Sequence, residues 1–238
     1  MQGWTDGDLE TEFEQRLDDL LAEPCPDWQT PELPEPYRRD QRFRAYERRN
    51  AKRIHVGELL TARPDMAVAL ADRVLAAIAC DEDVSFNKQL IHPLVNAVGR
   101  RAVQRYLISV VETGTAHQKV CAVRAWYWSQ VSLVYGSAQA LREHRPTQAS
   151  RAADNDVADL RGQYRIACLA AFVACEHTPT CEWLARGFLL KEEYYPPSLH
   201  SLVTRARAIA EADQHRYKDL LAKEDDGTNM AQIGSIDQ

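Results

Sequence analysis

Apolar residues in this chain recur three and four positions apart, in stripes that stop at short polar turns and then resume. Leu70, Val74 and Ile78 form one stripe, Val103, Leu107 and Val111 a second, and Tyr164, Cys168, Ala171 and Cys175 a third. Each stripe marks a helix that buries one face. The turns fall at Asp81, Thr113, Glu176 and Asp213, at intervals of roughly 30–40 residues with one double interval. A helix pair repeated at such a period buries its apolar face by stacking on its neighbours. The expected fold is all-α, an α-α superhelix of antiparallel helix pairs with an N-terminal helical extension. Only 10 of 238 residues are glycine, and alanine, leucine, arginine and glutamate recur, residues that lose little rotamer freedom in a helix.

The same pattern divides the chain. Leu9, Phe13, Leu17, Leu20 and Leu21 predict an amphipathic helix over residues 1–22, with Asp8, Glu10 and Glu12 near its positive end. Residues 23–36 contain five prolines, which remove backbone donors and hold the chain extended as a linker. Residues 37–223 read as the helical-repeat domain. Within it, residues 37–62 form one long helix with Phe43, Tyr46 and Ile54 on one face and Asn50 interrupting them. A polar insertion at about 142–158 explains the double interval, Leu189 closes the partner helix of the third unit, and Ile209 belongs to the last stripe. The polar tail 224–238 is expected to be disordered.

Several turns carry a common residue order. Thr115 and Ala116 are followed by Lys119, Ala122, Ala125 and Trp126; Thr178 and Pro179 are followed by Leu189; Asp81 is followed by Val84. This order resembles HEAT-type repeats, in which an Asp-Pro turn precedes a helix with valine-arginine early and alanine-leucine later. Gln118 and Cys181 stand where that family has valine, Glu182 where it has arginine and Lys88 where it has alanine. The resemblance covers about residues 64–223. It implies a superhelical fold whose second helices line a concave binding surface.

Charge and composition narrow the function classes. The formal net charge is -6, which disfavours a dedicated nucleic-acid binder. The longest near-apolar run, Ile166 to Cys175, is about half of what a membrane span needs. The acidic N-terminus has no apolar stretch of the signal-peptide kind, so a cytoplasmic protein with no membrane partner is expected. The six cysteines are then expected to be reduced and mostly buried.

No catalytic residue, metal ligand or cofactor is assigned. No histidine is followed by glutamate, which removes the His-Glu-x-x-His zinc motif and the His-Glu pairs of HEAT-like deoxyhypusine hydroxylases. Cys175, His177 and Cys181 crowd one turn, but Cys-x-His-x3-Cys is not a standard zinc spacing. His117 and Cys121 are one helical turn apart, without an identifiable third group to orient a base. The acidic run Asp81-Glu82-Asp83 reads as a solvated helix end.

Two clusters suit binding. Residues 38–53 hold eight basic residues against Asp40 and Glu47. Among them Arg42, Arg49 and Arg53 are candidates for a phosphate or nucleic-acid contact, for an acidic protein partner, or for pairing with acidic neighbours such as the first helix. The aromatic run Trp126-Tyr127-Trp128 cannot point wholly inward at 100° per residue. Trp126 or Trp128 beside Lys119 and Arg124 would make a binding anchor. The leading expectation is a noncatalytic scaffold or adaptor that binds a protein partner. The alternative is a DNA-binding HEAT-like protein resembling the alkylbase DNA glycosylases. The apolar stripe of the N-terminal helix must be covered, either by its own body or by a second copy in a homodimer.

Overall fold

The structure is a computed structural model that describes residues 6–32 and 40–225. Its α-helices are α1 (Asp6–Ala22), α2 (Gln41–Ala62), α3 (Pro64–Ala69), α4 (Ala71–Ile78), α5 (Lys88–Val98), α6 (Arg100–Thr113), α7 (Ala116–Ser129), α8 (Ala138–Arg142), α9 (Gln148–Asp156), α10 (Ala158–Val173), α11 (Thr178–Leu184), α12 (His200–Ala212) and α13 (Lys218–Asp225). Among the described residues there is no strand. No described helix is long and apolar enough to cross a membrane. The chain divides into two units within α6, after Tyr106.

In the first unit α1 pairs with α2, and α3 and α4 pair with α5. The pairs stack by order: α1 packs on α4, and α2 packs on α5. The α2–α5 crossing is close because Gly57 has no side chain; a Cβ there would lie 2.4 Å from the Gln89 carbonyl oxygen. Gly99 ends α5 with a φ of 86°, a conformation that other residues rarely adopt. Val74, Ile78 and Val103 are fully buried. The helix expected over 64–80 is broken at Leu70, which caps both α3 and α4.

The expected apolar face of α2 needs correction. Phe43, Tyr46 and Ile54 are only half-buried. The buried residues are Lys52, Arg53, Val56, Gly57 and Leu60. The reason lies in α1, which covers the side of α2 that carries the basic residues.

The second unit shows the same order of stacking. Helix α10 packs on α12, and α7 packs on α11. Phe172 lies at its centre, 5.1 Å from the Phe188 ring and 5.3 Å from Tyr217. The polar insertion is not featureless: Thr147 caps α9 through its hydroxyl, and Ser150 and Val157 are buried. Leu189 is buried, but in the loop after α11, which ends at Leu184. In α12 the buried stripe is Val203, Ala206 and Ala210; Ile209 is one position off it and exposed. Glu224 and Asp225 belong to α13, and the rest of the expected tail lies outside the described residues.

Helix α1 docks on its own chain. Phe13, Leu17, Leu20 and Leu21 are buried; the Leu9 side chain lies outside the described part. The first half of the proline-rich linker is anchored too, since Trp28 stacks on His55 with centroids 5.3 Å apart and planes at 18°. Residues 33–36 of the linker and 37–39 before α2 lie outside the described residues. Leu17 has no exposed surface, so Leu17→Ala is expected to lower unfolding stability by about 3 kcal/mol, read from urea melts.

Glu14 faces α2 and accepts hydrogen bonds from Arg48 and Lys52. Burial pushes its carboxyl up, but those two cations outweigh burial and hold it at about 2 instead of 4.5. A carboxyl lowered on folding stabilises the native state above its unfolded value and loses that contribution as pH falls toward the folded one. Wild type should therefore lose stability relative to Glu14→Gln between pH 4.5 and about 2, and the gap should be constant above that window. Urea midpoints at a series of pH values read this.

Candidate functional site

The basic face of α2 begins with Asp40, whose carboxylate caps the helix by accepting from the Arg42 and Phe43 amides at 2.8 and 3.1 Å. Arg42 and Arg44 are exposed beside it. Arg38 and Arg39 lie outside the described residues. One turn further the charges are matched. Arg48 pairs with Glu14, Arg49 with Glu10 at 3.0 Å, and Lys52 with Glu14 at 2.7 Å and Asp18 at 2.6 Å. Every third or fourth residue of α1 is acidic on this side, so the carboxylates line up along one helix face.

Arg53 is different in kind. Its fork donates two hydrogen bonds to Asp81, at 2.8 and 2.7 Å, and both side chains are buried. Its guanidinium carbon stands 5.0 Å from the centre of the Phe13 ring, and a third nitrogen reaches the Asn50 side-chain oxygen at 3.2 Å. Asp83, next in the same turn, accepts from the Tyr46 hydroxyl at 3.2 Å and from the Ser85 and Phe86 amides. Burial pushes the Asp81 carboxyl up against the pull of Arg53. The acidic run read as a solvated helix end is thus corrected: Asp81 is an interior residue whose charge is balanced by Arg53, and Arg53 offers no charge to an outside ligand.

In the second unit the aromatic run sits at the end of α7. This helix starts with a capping box: Thr115 accepts from the Gln118 amide, and the Gln118 side chain accepts from the Thr115 amide. Gln118 thus serves the start of α7 as the second half of its capping box. Lys119 is tied back, with Nζ donating to the Glu112 carbonyl at 3.3 Å. Trp126 is buried and stacks on Tyr164, with centroids 3.9 Å apart and parallel planes. It faces the core and cannot serve as an exposed anchor. Trp128 is half-buried, and Tyr127 is the exposed member, the two rings meeting edge to face at 4.8 Å. Arg124 lies over Trp183 at 4.3 Å, and Arg186 approaches the same ring at 4.1 Å.

The sequence-proposed residues divide between the two units. Lys119, Arg124, Trp126 and Trp128 belong to the second unit, and Arg42, Arg49 and Arg53 to the first. Sequence reasoning missed Trp183, which collects two arginines, and the exposed Val134 and Leu141 that follow Tyr127. Val134 and Leu141 lie outside any regular stripe, so periodicity gave no signal for them.

The two cysteine–histidine clusters resolve differently. The Cys121 sulfur is 3.5 Å from His117 Nε2, but Cys121 is fully buried. Around the α10–α11 turn, His177 Nδ1 is engaged with the Thr180 hydroxyl at 2.8 Å. Among the described residues no group of three His, Cys, Asp or Glu side chains could hold a metal ion. No protein-family model, curated protein or solved structure matches this chain significantly.

The buried pair yields a direct test. Asp81→Asn leaves the Arg53 charge in the interior with a weakened partner, and should cost about 3–5 kcal/mol in equilibrium unfolding. The apolar pair Arg53→Met with Asp81→Leu should recover much of that loss. A cost near zero for Asp81→Asn would show that the pair does not organise this unit.

Proposed function

We propose that this chain is a binding scaffold for a protein partner, with degenerate HEAT-type helix pairs as its framework. Within each unit, first helices pack on first helices and second on second, as α1 on α4 and α10 on α12, α2 on α5 and α7 on α11. That order of stacking supports a superhelical reading. A fold of this kind hosts many functions, so the surface must carry the argument.

The observation that carries it is the segment following α7. Val134 is pinned through its backbone: its amide donates to the Ser150 hydroxyl at 2.9 Å, and its carbonyl accepts from the Thr147 amide at 2.8 Å. The side chain nevertheless stands 59% exposed, with Tyr127 at 39% and Leu141 at 51% on the same stretch of chain. We take these exposed apolar groups on an ordered backbone as the candidate interaction surface, since aromatic residues are favoured anchors in such surfaces. The nucleic-acid reading has less support, because the cations of α2 from Arg48 to Arg53 are paired with carboxylates of α1 and with Asp81.

The test is an affinity capture from the native host with wild type and with the double variant Val134→Asp, Leu141→Asp. The variant should keep the wild-type circular dichroism and melting temperature and lose the specific partner. Capture of identical proteins by both, or base release from alkylated duplex DNA by the wild type, would overturn the proposal.

A further inference from the structure

The α10–α11 turn brings two thiols onto one oxygen. Cys175 lies just past the end of α10, and Cys181 in the second turn of α11. The Cys175 sulfur donates to the His177 carbonyl at 3.3 Å, and the Cys181 sulfur donates to the same carbonyl at 3.2 Å. Two sulfurs that share one acceptor are separated by no more than the sum of those two distances, and the Cys181 thiol feels Cys175 as a direct neighbour. Cys175 is half-exposed, whereas Cys181 is buried. The intervening His177 ring is turned to Thr180 and does not stand between them as a ligand or base.

We propose that Cys175 and Cys181 are a redox-responsive pair that closes to an intramolecular disulfide, Cys175 being the thiol that meets the oxidant and Cys181 the one that resolves it. With hydrogen peroxide as oxidant, the Cys175 sulfur attacks one peroxide oxygen, the O–O bond breaks, and a sulfenic acid and one water are formed. The Cys181 sulfur then attacks the Cys175 sulfur, the S–O bond breaks, and the second water leaves with the Cys181 proton. Two thiols are oxidised by two electrons, and one peroxide is reduced to two waters.

The order of the two steps follows from the surroundings. Burial, followed by the neighbouring Cys175 thiol, pushes the Cys181 thiol up to about 12, so it is protonated at neutral pH and a poor first nucleophile. Cys175 has the access. Closure frees the His177 carbonyl from both thiols, but it keeps the bond from the Cys181 amide at 3.1 Å, so the first turn of α11 survives the reaction. The crosslink ties the end of α10 to the start of α11. A bond of this sort in a reducing compartment is transient and sensing in character.

Full-length protein is treated with hydrogen peroxide, quenched in acid, alkylated under denaturing conditions and cut after glutamate. Cleavage at Glu176 falls between the two cysteines. The halves should stay joined until reductant is added, with a mass loss of about 2 Da, the two thiol hydrogens. In Cys181→Ser, Cys175 should stop at a sulfenic acid trapped by dimedone. In Cys175→Ser, Cys181 should stay alkylatable. Both sulfurs free after peroxide, Cys175 reaching sulfinate while Cys181 stays free, or Cys181 oxidised equally fast in Cys175→Ser would overturn the proposal. The wild-type mapping stands even if a variant folds poorly.

Discussion

Arg53 stands where three parts of the first unit meet. Its stem belongs to α2, its fork holds Asp81 in the turn after α4, and its plane lies against Phe13 of α1. A guanidinium in this position requires a carboxylate, because an isolated buried charge costs far more than a lost contact. The cost of taking both charges out of water offsets much of their attraction. The pair fixes register: α2 can slide neither along α1 nor away from the α4–α5 turn without uncovering a charge. Asn50, Tyr46 and Asp83 complete the polar surroundings, and Asp83 also caps the turn that leads to α5.

Around this centre the acidic side of α1 answers the basic side of α2. The pairs with an exposed partner, such as Arg49 with Glu10, contribute roughly 0–1 kcal/mol each, whereas Lys52 and Glu14 meet largely out of water. Burial of Phe13, Leu17, Leu20 and Leu21 is the larger effect, at about 1.5–3 kcal/mol per fully buried side chain. The charges therefore select the docking orientation, and the apolar stripe supplies the driving force. Arg42 and Arg44 are exposed, and Arg48, exposed as well, is paired with Glu14, so the basic surface is smaller than the sequence suggests.

The second unit is organised by aromatic contacts: Trp126 on Tyr164, and Phe172 with Phe188 and Tyr217. With these rings inside, the neighbouring Tyr127 is directed outward, Val134 follows on the irregular segment after α7, and Leu141 on the short helix α8. The α10–α11 turn lies in this unit as well. There a helix start concentrates three donors on the His177 carbonyl, two of them thiols. That arrangement gives the unit a chemical responsiveness its core lacks, since Cys168 is fully buried and its thiol is pushed up to about 12 by burial.

Periodicity determined the all-helical class and the burial of Val74, Val103, Leu107 and Leu17, because a stripe at helical spacing favours facing a core. It also determined that α1 needs a cover, since a bare apolar stripe is unfavourable in water. Which face of α2 is buried was decided only in the tertiary structure. Lys52 and Arg53 read as surface residues until α1 supplies Phe13 and Glu14, and Asp81 reads as solvated until Arg53 reaches it. Helix ends were decided the same way: α11 stops at Leu184, and Leu189 is buried from a loop. The candidate surface was half legible. Three consecutive aromatics require one to face outward, but that Trp126 turns in and Tyr127 out depends on Tyr164, thirty-eight positions away. Local spacing determines which residues share a helix face. The partners that fix a charge or a ring come from distant sequence, and only folding brings them into contact.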